Sequence, residues 1–216
     1  MRVKKIVLAL MLAAFSVSAS AKVVAVHSPT ELPGTSIDLS QVGPSRTSVP
    51  SGSSFQGVTI ITETQNPLEI FTQCVPPAYT APAGCGWIGN FAPTNGPDAY
   101  VLWSSGYYNS SNQWLGNAPI TISFLKPVTG VGFAVMADEG GKFTGTISAY
   151  SKQGKFLGSF YFTGNNTDPT AVFVGLKSSN NDISKIVVDV SGLLYAHDFG
   201  ISNIVVGKSK ENEDSD

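Results

Sequence analysis

Histidine, cysteine and charge are all scarce in this chain of 216 residues, which has two His, two Cys and 13% charged side chains. So few nitrogen and sulfur ligands leave no set with zinc-site spacing. No G-x-S-x-G turn is present, and no glycine-rich phosphate loop precedes a helical stretch. Lysine and arginine number only 13 against 15 acidic residues, so nucleic acid and anionic lipid find no basic footprint. Helical signals are missing too. Beyond residue 21 no segment sustains a 3.6-residue apolar stripe, and none is long and apolar enough to cross a bilayer as a helix.

The first residues carry a different signal. Met1-Arg2-Val3-Lys4-Lys5 precedes an apolar run over 6–17, and Ala19-Ser20-Ala21 supplies a small-x-small ending. This pattern predicts a secretory signal peptide over 1–21, cleaved before Lys22, and a secreted or periplasmic product. Its removal takes Arg2, Lys4 and Lys5, leaving ten basic residues against 15 acidic ones. Both cysteines lie in the remaining part. In an oxidising compartment Cys74 and Cys85 are expected to form one disulfide, closing a loop that holds Pro76, Pro77, Pro82 and Gly84. Such a staple contributes ~2–3 kcal/mol.

What fills the rest is alternation. Residues 22–54 are rich in Ser, Pro, Gly and Thr and read as a leader with one edge strand at Ser36-Ile37-Asp38-Leu39. A β-sandwich domain is expected over 55–207. Gly57-Val58-Thr59-Ile60-Ile61-Thr62 is a β-branched run, and Ile120, Ile122 and Phe124 alternate with Thr121 and Ser123. Val131, Phe133 and Val135 resume that phase, and further extended runs follow from Phe143, Phe156, Ala171 and Ile183. In the last run Phe199 and Ile201 share one phase while Ile204 and Val206 share the other, which predicts a bulge near Ser202. Roughly ten short strands between Gly, Asn, Pro and Ser turns predict an all-β fold, a two-sheet antiparallel jelly roll. Residues 208–216 are charged without an apolar anchor and are expected to form a disordered acidic tail.

Pro119-Ile120-Thr121-Ile122-Ser123-Phe124 with Pro127-Val128-Thr129-Gly130-Val131-Gly132-Phe133 resembles a stretch of exported bacterial β-sandwich proteins of the PEP-CTERM-associated type. Thr146-Ile147-Ser148-Ala149-Tyr150 and the closing 198–207 segment are similar to theirs as well. The resemblance covers roughly residues 119–207. It implies a fold like the jelly-roll carbohydrate-binding modules. The sorting tail of those proteins is not matched, so free secretion is the expectation here.

The stretch with most chemistry is Trp103-Ser104-Ser105-Gly106-Tyr107-Tyr108-Asn109-Ser110-Ser111-Asn112-Gln113-Trp114. Aromatic faces stack on sugar rings, and amides hydrogen-bond the ring substituents. Trp103, Tyr107, Tyr108 and Trp114 are the candidate platform, with Asn109, Asn112 and Gln113 as polar readers of a glycan or matrix polymer. The same tryptophans would equally serve as sandwich core. A structural calcium is the second candidate ligand, held by Asp38 and Asp198 if the first and last strands are neighbours. Asp138 and Glu139 form another oxygen cluster. No other cofactor is expected. Catalysis has less to build on. His197 and Asp198 are adjacent and on a strand would point to opposite faces, and nothing singles out a carboxyl pair among Glu63, Glu69, Asp98, Asp138 and Glu139. The reading is a non-catalytic binding module. A structural envelope or biofilm protein without a small ligand is the alternative, and a secreted hydrolase the third.

Overall fold

A computed structural model describes residues 23–74, 87–88, 91, 100–166, 171–192 and 196–207. Five short strands lead: β1 (Val23–Val26), β2 (Gly34–Ile37), β3 (Thr47–Val49), β4 (Ser53–Phe55) and β5 (Val58–Thr62). Next come β6 (Leu68–Cys74), β7 (Trp87–Ile88), β8 (Tyr100–Trp103), β9 (Gly106–Tyr108) and β10 (Trp114–Gly116). The regular half holds β11 (Ile120–Val128), β12 (Gly130–Ala137), β13 (Lys142–Tyr150), β14 (Phe156–Asn165), β15 (Val172–Ser178) and β16 (Ile183–Ser191). Two short strands, β17 (Phe199–Ile201) and β18 (Ile204–Gly207), close the described chain.

These strands make the expected two-sheet antiparallel sandwich. One sheet runs β1-β15-β12-β17-β8-β6-β3, with β18 continuing along β12 and pairing β2. The other runs β14-β13-β16-β11-β5-β4. Among the described residues the strand pairs are antiparallel except for the short β6–β7 contact. The period-2 pattern explains the packing directly. Ile120, Ile122 and Phe124 of β11, Ile147 of β13 and Ile186 and Val188 of β16 turn inward and meet Val131, Phe133 and Val135 of β12. All of these are buried.

β12 departs from one-sided burial, since each of its residues is buried. Its odd positions face the sandwich interior. Ala134 and Met136 face a second cluster with Phe71, Trp87, Phe91, Val101 and Ala171, packed by the half-buried Trp103. Trp87 and Phe91 come from the pattern-poor stretch after β6, and these two residues cover the first sheet there. On the same strand, Leu32 is inserted where Gly130, Gly132 and Gly175 lie close together. A Cβ at Gly130 would stand 2.5 Å from the Leu32 side chain.

Three expectations are corrected. The 22–54 leader holds four strands rather than one, paired to β15, β18, β6 and β5 in turn. Edge pairing satisfies its backbone where its composition shows little hydrophobic pattern. The extended run expected at 36–39 ends at Ile37, because Asp38 caps a short 3-10 turn over Leu39–Gln41. The phase change in the last run is a full break between β17 and β18. There Ser202 accepts from Ala134 N through its hydroxyl at 2.8 Å while its own N–H donates to Ala134 O.

Phe133 is fully buried at the centre of the main core. Phe133→Ala should cost about 3–5 kcal/mol. Urea unfolding should show this as a lower midpoint at unchanged slope.

Candidate functional site

The aromatic run folds as a hairpin. β9 and β10 pair Trp114 with Tyr108 and Leu115 with Tyr107. Asn109 organises the loop between them. Its side-chain oxygen accepts from Ser111 N and Gln113 N, each at 2.9 Å, and its amide donates to the Gln113 side-chain oxygen at 3.1 Å. Asn112 takes the left-handed conformation that the turn needs, at φ 57°. Tyr108 and Trp114 meet edge to face with ring centroids 5.1 Å apart.

Glycines let this hairpin seat. A Cβ on Gly106 would lie 2.5 Å from the Trp114 indole, so the indole rests directly on that backbone. A Cβ on Gly116 would fall 1.7 Å from the His197 carbonyl oxygen. Gly116 N donates to Ala196 O at 3.0 Å, tying β10 to the segment before β17. Asn117, buried just after β10, accepts from the Thr64 hydroxyl and the Asn66 amide and donates to Pro67 O.

Asp198 is the centre of the arrangement. The Trp103 indole N–H donates to its Oδ1 at 2.6 Å, and the Trp114 indole N–H donates to its Oδ2 at 2.5 Å. The residue is 1% exposed. Burial pushes its carboxyl above the ordinary range, the two indole hydrogen bonds oppose that, and Glu139 adds to the rise. Asp138 N donates to Asp198 O at 3.1 Å, which sets the two acidic residues side by side. The Asp138 carboxyl is pushed up to about 6, first by desolvation and then by Asp198 and Glu139. Asp138 nonetheless keeps an exposed surface.

His197 turns elsewhere. It stands at φ 65°, and its Nδ1 lies 2.7 Å from Asp189 Oδ1 on β16. The hydrogen bond to Asp189 raises its pKa, with burial opposing. Ser104 lies nearby but its hydroxyl is committed, donating to His197 O at 2.8 Å and accepting from Phe199 N at 2.9 Å. A nucleophilic Ser–His pair is not formed by these two.

A cavity of about 650 Å³ opens between the hairpin and the acidic pair. Tyr108, Asn112, Gln113 and Trp114 line one side, and Asp138 and Asp198 the other. Leu115 and Ala196 also line it.

Four of the seven expected contact residues therefore meet at one place. Trp103 is corrected to a core role, with its ring edge-to-face against Phe71 and Trp87 at 5.3 and 6.3 Å and its N–H directed to Asp198. Asn109 is corrected to a loop organiser. Tyr107 is opposite Leu115 and does not line the cavity. Asp38 and Asp198 are not brought together, although β2, which ends just before Asp38, does pair with the last strand, β18. The register along β12 sets them roughly four residues, or about 13 Å, apart. Asp38 instead accepts from Ser40 N at 2.9 Å and from the Ser40 hydroxyl at 2.7 Å, which lowers its pKa. Among the described residues no group of three or more His, Cys, Asp or Glu is placed to hold a metal ion. Cys85, the partner proposed for Cys74, lies outside the described residues. The juxtaposition of Asp138 with Asp198 had no sequence signal beyond their separate positions at strand ends.

No family model and no curated protein matches this chain. Among solved structures, it is similar to the enzymatically active domain of bacteriophage CBA120 tailspike protein 4, at 12% identity and TM-score 0.30. That match covers 83% of this chain and 22% of the other. It is also similar to a family 6 carbohydrate-binding module, at 16% identity and TM-score 0.26, over 77% of this chain and 96% of that one. Likenesses this distant carry no functional argument.

Two outcomes test the site. Asp198→Ala leaves two indole N–H groups without their acceptor and should cost roughly 2–4 kcal/mol in urea unfolding. For Asp138, the raised folded pKa means that the folded state holds its proton more tightly than the unfolded one. Stability from this group is present below the unfolded value of 3.8 and is lost as pH rises toward about 6. Asp138→Asn should therefore raise Tm at pH 7 and leave it unchanged near pH 3.5, with solvent screening holding the gain to about 1 kcal/mol or less.

Proposed function

We propose that this is an exported, non-catalytic binding module whose ligand is a glycan or glycan-rich matrix polymer. The supporting observation is the cavity that sets Tyr108 and Trp114 against Asp138 and Asp198. Ring faces offer an apolar surface to the C–H side of a sugar, and the exposed Asp138 carboxylate accepts from its hydroxyls. Asn112 and Gln113 at the hairpin tip add amide donors and acceptors. The exported location rests on the 1–21 segment and the resemblance to exported β-sandwich proteins.

A second reading is favoured by a specific observation. Two carboxyls share one cavity, and one of them has a pKa near the range useful to a general acid. A glycosidase would use Asp138 as that acid and Asp198 as its partner. The binding reading is preferred because Asp198 is buried with each oxygen already engaged by an indole N–H. Both hydrogen bonds would have to loosen before either oxygen attacked a substrate.

A glycan array probed with the purified protein tests the first reading. Binding to at least one sugar class is expected, and Trp114→Ala or Tyr108→Ala should weaken it about tenfold or more. Unchanged binding in both variants would refute the platform. Hydrolysis of chromogenic glycosides at pH 5–7, abolished by Asp138→Asn, would instead establish the enzyme.

A further inference from the structure

The cavity carries negative charge that the described residues do not neutralise. Asp138 and Asp198 both line it, and among the described residues no lysine, arginine or histidine does. The ion pair of His197 with Asp189 engages the imidazole with β16. The two donors to Asp198 are neutral indoles. Across from the acids stand Tyr108 and Trp114, with Tyr108 66% exposed. The face of an aromatic ring is the negative pole of its quadrupole and attracts a cation within about 6 Å. Carboxylates on one wall and electron-rich rings on the other complement an ammonium group. They repel a phosphate, a sulfate or a uronic acid.

We infer that the cavity selects a sugar bearing a free protonated amine, with the ammonium against the Asp138 carboxylate and the Tyr108–Trp114 ring pair and the buried Asp198 behind them. This deepens the glycan reading and rests on it. The raised carboxyl pKa values accord with it: desolvation lifts both groups, and Asp198 and Glu139 add to the rise at Asp138. A hard metal ion fits less well: Asp198 already accepts a hydrogen bond on each oxygen, and a calcium ion needs six or so oxygen ligands.

Isothermal titration at pH 7 separates the outcomes. The probes are β-1,4-linked glucosamine oligomers, their N-acetylated counterparts, the matching glucose oligomers, tetramethylammonium and calcium chloride. The amine-bearing oligomer is expected to bind at least about tenfold more tightly than either neutral oligomer. Asp138→Asn should erase most of that preference, weakening the amine-bearing oligomer at least about fivefold more than it weakens either neutral oligomer. Because Asp138 is exposed, this variant is expected to fold, and circular dichroism checks that. Equal or tighter binding of the N-acetylated or glucose oligomers overturns the amine preference and leaves the glycan reading standing. Tetramethylammonium binding as tightly as the amino sugar removes the glycan reading as well. Calcium binding that Asp138→Asn abolishes, with no sugar bound, overturns both in favour of a metal site. No binding by any probe also overturns both.

Discussion

A buried carboxylate held by two indole N–H groups governs this end of the molecule. A desolvated Asp198 without partners would be strongly unfavourable, and the two tryptophans supply neutral donors that make its burial tolerable. The donors come from different elements, Trp103 from β8 in the first sheet and Trp114 from the β9–β10 hairpin. One side chain therefore fixes the hairpin onto the sandwich. Gly106 and Gly116 permit the approach, since a side chain at either would strike the indole or the 197 carbonyl.

That constraint shapes the cavity. With its N–H held on Asp198, Trp114 lies over Gly106 and against Tyr108, so a ring pair stands at the opening. The backbone bond from Asp138 N to Asp198 O places a second carboxyl beside the first. The raised pKa values follow from this proximity together with desolvation, and they mark where a ligand carrying donors or positive charge would gain most. Trp103 acts on the other side, linking the site to the second core cluster with Phe71 and Trp87. A single acidic residue thus couples packing above the first sheet to the geometry of the opening.

The sequence made the sandwich legible in its second half. Ile120-Thr121-Ile122-Ser123-Phe124 alternates cleanly, and β11 buries the same residues that the pattern assigns inward. The change of phase between Ile201 and Ile204 also marked the true break at Ser202. The 22–54 stretch was less readable, because short edge strands are defined by their partners rather than by their own alternation. The burial of both faces of β12 was hidden for a similar reason. Ala134 and Met136 are covered by Trp87 and Phe91, which no periodicity connects to them. At the site, the 103–114 run in which aromatics and amides gather folds as the β9–β10 hairpin, a pairing that its composition did not show, and neither did the roles of Trp103 and Asn109. Ring direction and amide partners depend on what packs against them.

Residue alternation alone determined the class of fold, the inward faces of the long strands and the segment in which aromatics and amides gather. Those follow from local chain geometry, because successive side chains of an extended strand must point to opposite faces. Tertiary structure decided that Asp198 joins Trp103 and Trp114 across 95 and 84 residues, that Asp138 stands beside it, and that Asp38 does not. Such partnerships depend on strand order and register between sheets. These are set by how whole faces bury together and leave no mark on the spacing of any one segment.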